Sequence, residues 1–218
     1  MPFALRNRTD PAPHLDPLPG LVVRHETDVA LMARLQGKSE RAKRERVDAG
    51  HLPYLALLHG EPAAWGWVAT LSADIGELRS TFRIPEGERY LWNFVTLASH
   101  RGLGIYPRLL QSIIDAESRE AERFWIAYAP ENHASAAGIR KAGFVTLAAL
   151  SFDADGKAAL REVLPGGGAQ ASRVLGLPVA TGELEPCWRC VRAGRGAMSC
   201  AAGSCRCDYQ RPEHDCAA

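Results

Sequence analysis

Tyr90–Leu110 reads YLWNFVTLASHRGLGIYPRLL: an apolar run, a short turn and a glycine-bearing entry into an amphipathic segment. Main-chain N–H groups at a helix start lack intrahelical partners, and the helix dipole favours an anion there. Gly102 and Gly104 let the backbone approach such an anion with no Cβ in the way. Pro107 falls in the first turn, where its missing N–H costs nothing, and Ile105, Leu109, Leu110, Ile113 and Ile114 recur at helical spacing. The stretch therefore predicts strand, loop and helix, with the loop offered to a phosphate-bearing ligand. A two-glycine loop is a weak signal by itself, because an ordinary strand-to-helix turn has the same composition.

The order strand, R-G-L-G-I-Y, helix resembles motif A of the GNAT superfamily of N-acetyltransferases: Gln or Arg, two residues, Gly, one residue, then Gly or Ala. Arg101 opens the match and Gly104 holds its central glycine; Tyr106 departs, standing where the family prefers a small residue. About thirty residues on, Glu131–Phe144 (ENHASAAGIRKAGF) is similar to motif B of that family, with Asn132 opening a helix and Gly143-Phe144 closing it. Asn is a good N-cap and Gly a good residue just past a helix, so both positions also have a purely structural explanation. The tyrosine that relatives often carry seven residues after the asparagine, as acid for the leaving thiolate, is replaced by Ile139.

The resemblance implies a mixed α/β sheet and acetyl transfer from acetyl-CoA to an amine acceptor, small molecule or protein, by direct attack in a ternary complex. Carried over, it implies cofactor contacts from Phe94, Val95 and Thr96 on a splayed strand, from Arg101, Gly102, Leu103, Gly104, Ile105, Tyr106 and Pro107, and from Asn132. It further implies an oxyanion donor at the Val95 main-chain N–H. Glu77 is the candidate base, although a surface position explains it equally. Asn93 cannot take a proton. The rival reading is a GNAT-like module that has lost catalysis and serves as a binding or metal-handling protein through its cysteine-rich tail; Tyr106 and Ile139 favour it, while the intact RGLG and Asn132 oppose it.

Elsewhere the chain frames this centre. Of 218 residues, 46% are hydrophobic, enough for one main domain, and 26 basic against 25 acidic residues give no field steering toward nucleic acid or membrane. No apolar run has signal-peptide or membrane-span character, so a cytoplasmic protein is expected. Residues 1–20 hold five prolines and are expected to form an extended arm outside the domain of residues 21–163. Leu21–Arg24 predicts a strand, Thr27 and Ser39 two helix caps, and the charge run SERAKRERVDAG a solvated helix. PYLALLHG and AAWGWVATL flank a hairpin turn, further strands lead into the central one, and RFWIAYAP reads as a buried strand beside a parallel neighbour. FVTLAALSFDADGKAALREV predicts a strand pair, and the Gly-, Pro- and Ala-rich residues 164–186 a linker.

All six cysteines lie in residues 187–218. Cys187 and Cys190, followed by Cys205 and Cys207, have a spacing that thiolate metal sites use, and structural zinc is the first reading. Copper(I) or iron–sulfur binding, disulfides, and a disordered reducible tail are the alternatives; Cys200, His214 and Cys216 could replace members of the second pair.

Overall fold

The computed structural model describes residues 1–76, 80–153 and 157–181. In chain order it runs β1 (Pro2–Asn7), β2 (Leu21–His25), α1 (Val29–Gln36), α2 (Glu40–Asp48), β3 (His51–Leu58), β4 (Glu61–Ala69), β5 (Ser72–Ile75), β6 (Ser80–Arg83) and β7 (Glu88–Thr96). It continues with a 3-10 turn (Ala98–His100), α3 (Ile105–Glu117), β8 (Arg123–Ala127), α4 (His133–Lys141), β9 (Val145–Phe152), β10 (Ala158–Glu162) and α5 (Gly167–Leu175). Eight strands form one sheet in the order β10-β9-β1-β8-β7-β4-β3-β2, and β5-β6 is a separate hairpin. Neighbours in the large sheet are antiparallel except β7 and β8, as expected for a buried strand beside a parallel partner.

Alternation along the strands sends side chains to two cores. On one face α3 and α4 cover Ala4, Val68, Leu91, Phe124 and Ile126. On the other, α5 covers Phe3, Leu5, Trp125, Leu150 and Leu160, and Met32 of α1 packs on Leu55, Trp65 and Trp67. Helices thus flank both faces of a mixed sheet. Among the described residues no helix is long and apolar enough to cross a membrane.

Three expectations need correction. Residues 2–7 are not an arm: β1 pairs with β8 on one side and β9 on the other, with Phe3, Ala4 and Leu5 buried. Only residues 8–20 run irregularly outside, where Arg108 of α3 donates to the Asp16 carbonyl and Gln111 to that of Pro13. Residues 164–186 are not simply a linker, for α5 buries Ala171, Val174 and Leu175. Its glycines serve close approach rather than flexibility: a Cβ on Gly167 would run into the Leu147 carbonyl. The cap of α1 is Asp28, which accepts from the Leu31 N–H at 2.9 Å, in place of Thr27.

Ser39 does cap α2, accepting from the Ala42 N–H at 3.2 Å. The charge run is only partly solvated: Arg41 and Glu45 form the expected i,i+4 pair at 3.7 Å, but Lys43 is buried. Glu77 and the cysteines Cys187, Cys190, Cys205 and Cys207 lie outside the described residues.

Candidate active site

The pairing of β7 with β8 covers Glu88↔Arg123 to Leu91↔Ile126 and stops there, while β7 runs on to Thr96. Beyond Leu91 the two strands part. A bulge shapes the free end: Trp67 pairs with Trp92 and Trp65 with Val95, so Asn93 and Phe94 together face Gly66. Asn93 takes φ 54, and the Phe94 ring occupies the space a side chain on Gly66 would need. The Leu97 N–H donates to the Ala63 carbonyl at 2.9 Å, on the β4 side. Strand alternation turns the Val95 N–H the same way, so the main-chain groups facing the gap belong to Phe94 and Thr96. The Thr96 carbonyl accepts from Arg101 Nε at 3.3 Å. The Val95 N–H, expected to face the gap, faces β4 instead.

The gap opens into a cleft of about 590 Å³. Phe94, Val95 and Thr96 form one wall; His100, Arg101, Gly102, Gly104, Ile105, Tyr106 and Pro107 form the second. The third comes from Asn132, Ala134, Ser135, Ala137, Gly138 and Lys141. The cleft thus gathers the sequence-derived cofactor positions except Leu103, which is 46% exposed and does not line it. His100, Ser135, Gly138 and Lys141 were not anticipated. The last three fall at helical spacing after Asn132, a signal that marks one face of α4.

Two helix starts meet here. Gly104 caps α3 at φ 69 and Gly102 has φ 81, a region that costs any residue with a Cβ, so both glycines are required by the loop's own path. Space beside Gly102 is open. The Gly104 carbonyl is held by Arg108 Nη1 at 2.7 Å. At α4, Asn132 Oδ1 accepts from the Ser135 N–H at 2.9 Å, and the helix closes on Gly143 (φ 93), with Phe144 N–H donating to the Ile139 carbonyl at 3.2 Å and Gly143 N–H to that of Arg140 at 3.0 Å. The charged groups on the described lining are Arg101 and Lys141, with His100 beside them and no carboxylate. Both dipoles and both cations favour a polyanion.

Tyr106 fills the seam between α3 and α4. Its ring takes the space beside Gly138 that a Cβ would occupy, sits 5.4 Å from the Phe94 ring, and brings its hydroxyl to 3.5 Å from Ser135 Oγ. Burial pushes the phenol well above its ordinary value, so it stays protonated. Ile139 is 2% exposed and points into the core, not the cleft.

Several solved structures bear a partial likeness to the chain. The ribosomal-protein-S18-alanine N-acetyltransferase of Escherichia coli superposes with TM-score 0.45 at 18% identity, over 62% of this chain and 83% of that one. An aminoglycoside acetyltransferase AAC(6')-Ib solved with coenzyme A and kanamycin gives TM-score 0.48 at 18% identity, over 64% and 92%. A putative GNAT-family acetyltransferase from Novosphingobium aromaticivorans gives 0.45 at 21%, over 66% and 59%. No curated protein matches the chain in sequence. The model of the acetyltransferase (GNAT) family matches residues 22–144, which span β2 to the end of α4 and hold every described wall of the cleft. The chain belongs to the acetyltransferase (GNAT) family.

Proposed function

We propose that the chain moves an acetyl group from acetyl-CoA to an amine by direct attack while both are bound. The observation that carries this is the meeting of two helix starts, a positive-φ glycine loop and an unpaired strand end in one cleft. These residues fit the cofactor. Its pyrophosphate would lie on the N–H groups of Gly102 to Tyr106, beside Arg101 and the open space at Gly102. Its amide-bearing arm would pair with the main-chain groups of Phe94 and the N–H of Thr96, against the apolar faces of Phe94, Ile105 and Tyr106.

When bound, acetyl-CoA supplies a thioester whose C–S bond breaks, with its electron pair left on sulfur, as the N–C bond forms. The protein must hold the acceptor as a neutral amine, since an alkylammonium with a pKa of about 10 has no free electron pair. Glu77, between β5 and β6 in sequence, stays the proposed base, because no carboxylate lines the described cleft. An N–H on Phe94 or Thr96 meets the charge that gathers on the carbonyl oxygen, already oriented by the strand. A thiol is acidic enough, cysteine's lying at about 8.5, for its thiolate to be a good leaving group near neutral pH, and the start of α4 eases that departure.

Isothermal titration of the full chain with acetyl-CoA tests the reading: one site per chain is expected. In Gly104→Val, binding should be lost while the melting transition survives, since a β-branched residue at φ 69 cannot keep the loop. Native affinity in that folded variant would move the pyrophosphate elsewhere.

A further inference from the structure

The charge run of α2 turns two cations inward onto tryptophans. Lys43 is 3% exposed, with its Nζ 2.5 Å from Gln36 Oε1 and 5.6 Å from the centre of the Trp67 ring. The Arg46 guanidinium lies 4.7 Å from the Trp67 ring and 4.4 Å from the Trp92 ring. Trp67 is fully buried. Three buried donor atoms of Trp67 and of the side chains linked to it through Lys43 and Arg46 lack an acceptor among the described residues: Trp67 Nε1, Arg46 Nη1 and Gln36 Nε2.

Stacking on indoles accounts for the faces of the cations, but N–H bonds lie in the guanidinium, amide and indole planes and are left over. Neither Lys43 nor Arg46 has an ion-pair partner among the described residues. Burial, together with Arg46 and Lys38, brings the Lys43 ammonium down to about 8, and burial with Arg46 lowers His51, whose Nδ1 is occupied by the Trp92 Nε1–H at 3.1 Å. Asp74 is the acid that acts on His51, and its carboxylate is engaged by the Thr81 hydroxyl at 2.5 Å. Buried donors left without an acceptor call for a partner from outside the chain, a water or an anion, and the two cations beside them favour the anion.

Position says whose anion it is. Trp92 and Val95 pack on this same cluster, and β7 carries both toward the transfer point in the cleft. Three strand residues span about 10 Å at most. The cluster lies on the sheet face of α1 and α2, opposite α3 and α4, which is the face left to an acceptor once acetyl-CoA lies against α3 and α4 as proposed. We infer that Arg46, Lys43, Gln36 and Trp67 form a carboxylate subsite for the acceptor, so that the chain acetylates an amine carried by a small carboxylic acid. This rests on the transferase reading above. A carboxylate offers two oxygens with about four lone-pair positions, which the four donors match.

The test uses the full chain and two readouts. Tryptophan fluorescence is titrated with N-acetylglycine, N-acetyl-β-alanine and N-acetyl-γ-aminobutyrate, with their carboxamides, and with inorganic phosphate. Thiol release from acetyl-CoA is then followed with the matching free ω-amino acids and amides. At least one carboxylate should bind saturably, roughly tenfold or more tighter than its amide, as charge-assisted bonds require. Arg46→Met should erase that preference, and Gln36→Met reduce it. The preference should reappear in KM for the amine. Equal affinity for acid and amide, an Arg46→Met chain that keeps the preference, or phosphate outcompeting every carboxylate overturns the assignment. Saturable carboxylate binding without thiol release from any amine would instead leave the anion site standing and sink the transferase reading.

Discussion

Tyr106 carries two departures from its relatives at once. It stands where motif A prefers a small residue, and it supplies the only described phenol on the cleft while Ile139 turns into the core. If the thiolate leaves unaided near neutral pH, the hydroxyl is a packing group and not an acid. Tyr106→Phe should then lower kcat by less than about tenfold on any confirmed amine, a change below about 1.4 kcal/mol in the barrier. A loss of a hundredfold or more, with KM for acetyl-CoA unchanged, would make Tyr106 the proton donor. Sequence alone made Tyr106 look like an obstacle, because nothing in its neighbourhood shows that Gly138, thirty-two positions on, vacates the space its ring needs.

That pair belongs to the seam of α3 and α4, and there the prediction concerns the elements together. A methyl on Gly138 would overlap the Tyr106 ring, and the helices must separate or the ring must swing into the cleft. Gly138→Ala should cost about 1–3 kcal/mol in chemical denaturation and weaken acetyl-CoA binding, whereas a typical exposed helical glycine gains from the change. Unchanged stability would show the seam to be loose. Helix starts were readable because their chemistry is local: Gly104, Ser39 and Asn132 do in three dimensions what their residue types announce. Thr27 failed against its neighbour Asp28, which sits one position closer to the first turn. The inward turn of Lys43 and Arg46 was hidden for a different reason, since the tryptophans that draw them in come from β4 and β7.

Over the whole molecule, what escaped the sequence was whatever tertiary pairing alone decides. β1 is six residues with no alternation, buried on both faces, and nearby prolines masked it. Phe3 is fully buried and stacks on Trp125 at 4.8 Å, so Phe3→Ala should cost about 3–5 kcal/mol by denaturant titration, a large share of a domain's stability. A loss below about 1 kcal/mol would mean that β1 is not integral to the sheet. α5 was missed because its glycines read as slack, although Gly167 meets the Leu147 carbonyl. The cysteine spacing is legible as chemistry, but it lies outside the described residues.

The seat of β1 also governs how the chain must be assembled. β8 and β9 close on a strand made first, and the Leu150 carbonyl accepts from the Met1 nitrogen across 149 residues. A growing polypeptide can shape the hairpin of β3 and β4 early, but its two half-sheets have no seam until β8, which bridges β1 and β7, has been made. Loop-closure entropy of that length puts the closing step late and makes it slow. Until then the edges of β8 and β9 stand open to any passing strand, so refolding at high protein concentration should lose yield to aggregation at this step rather than at the hairpin.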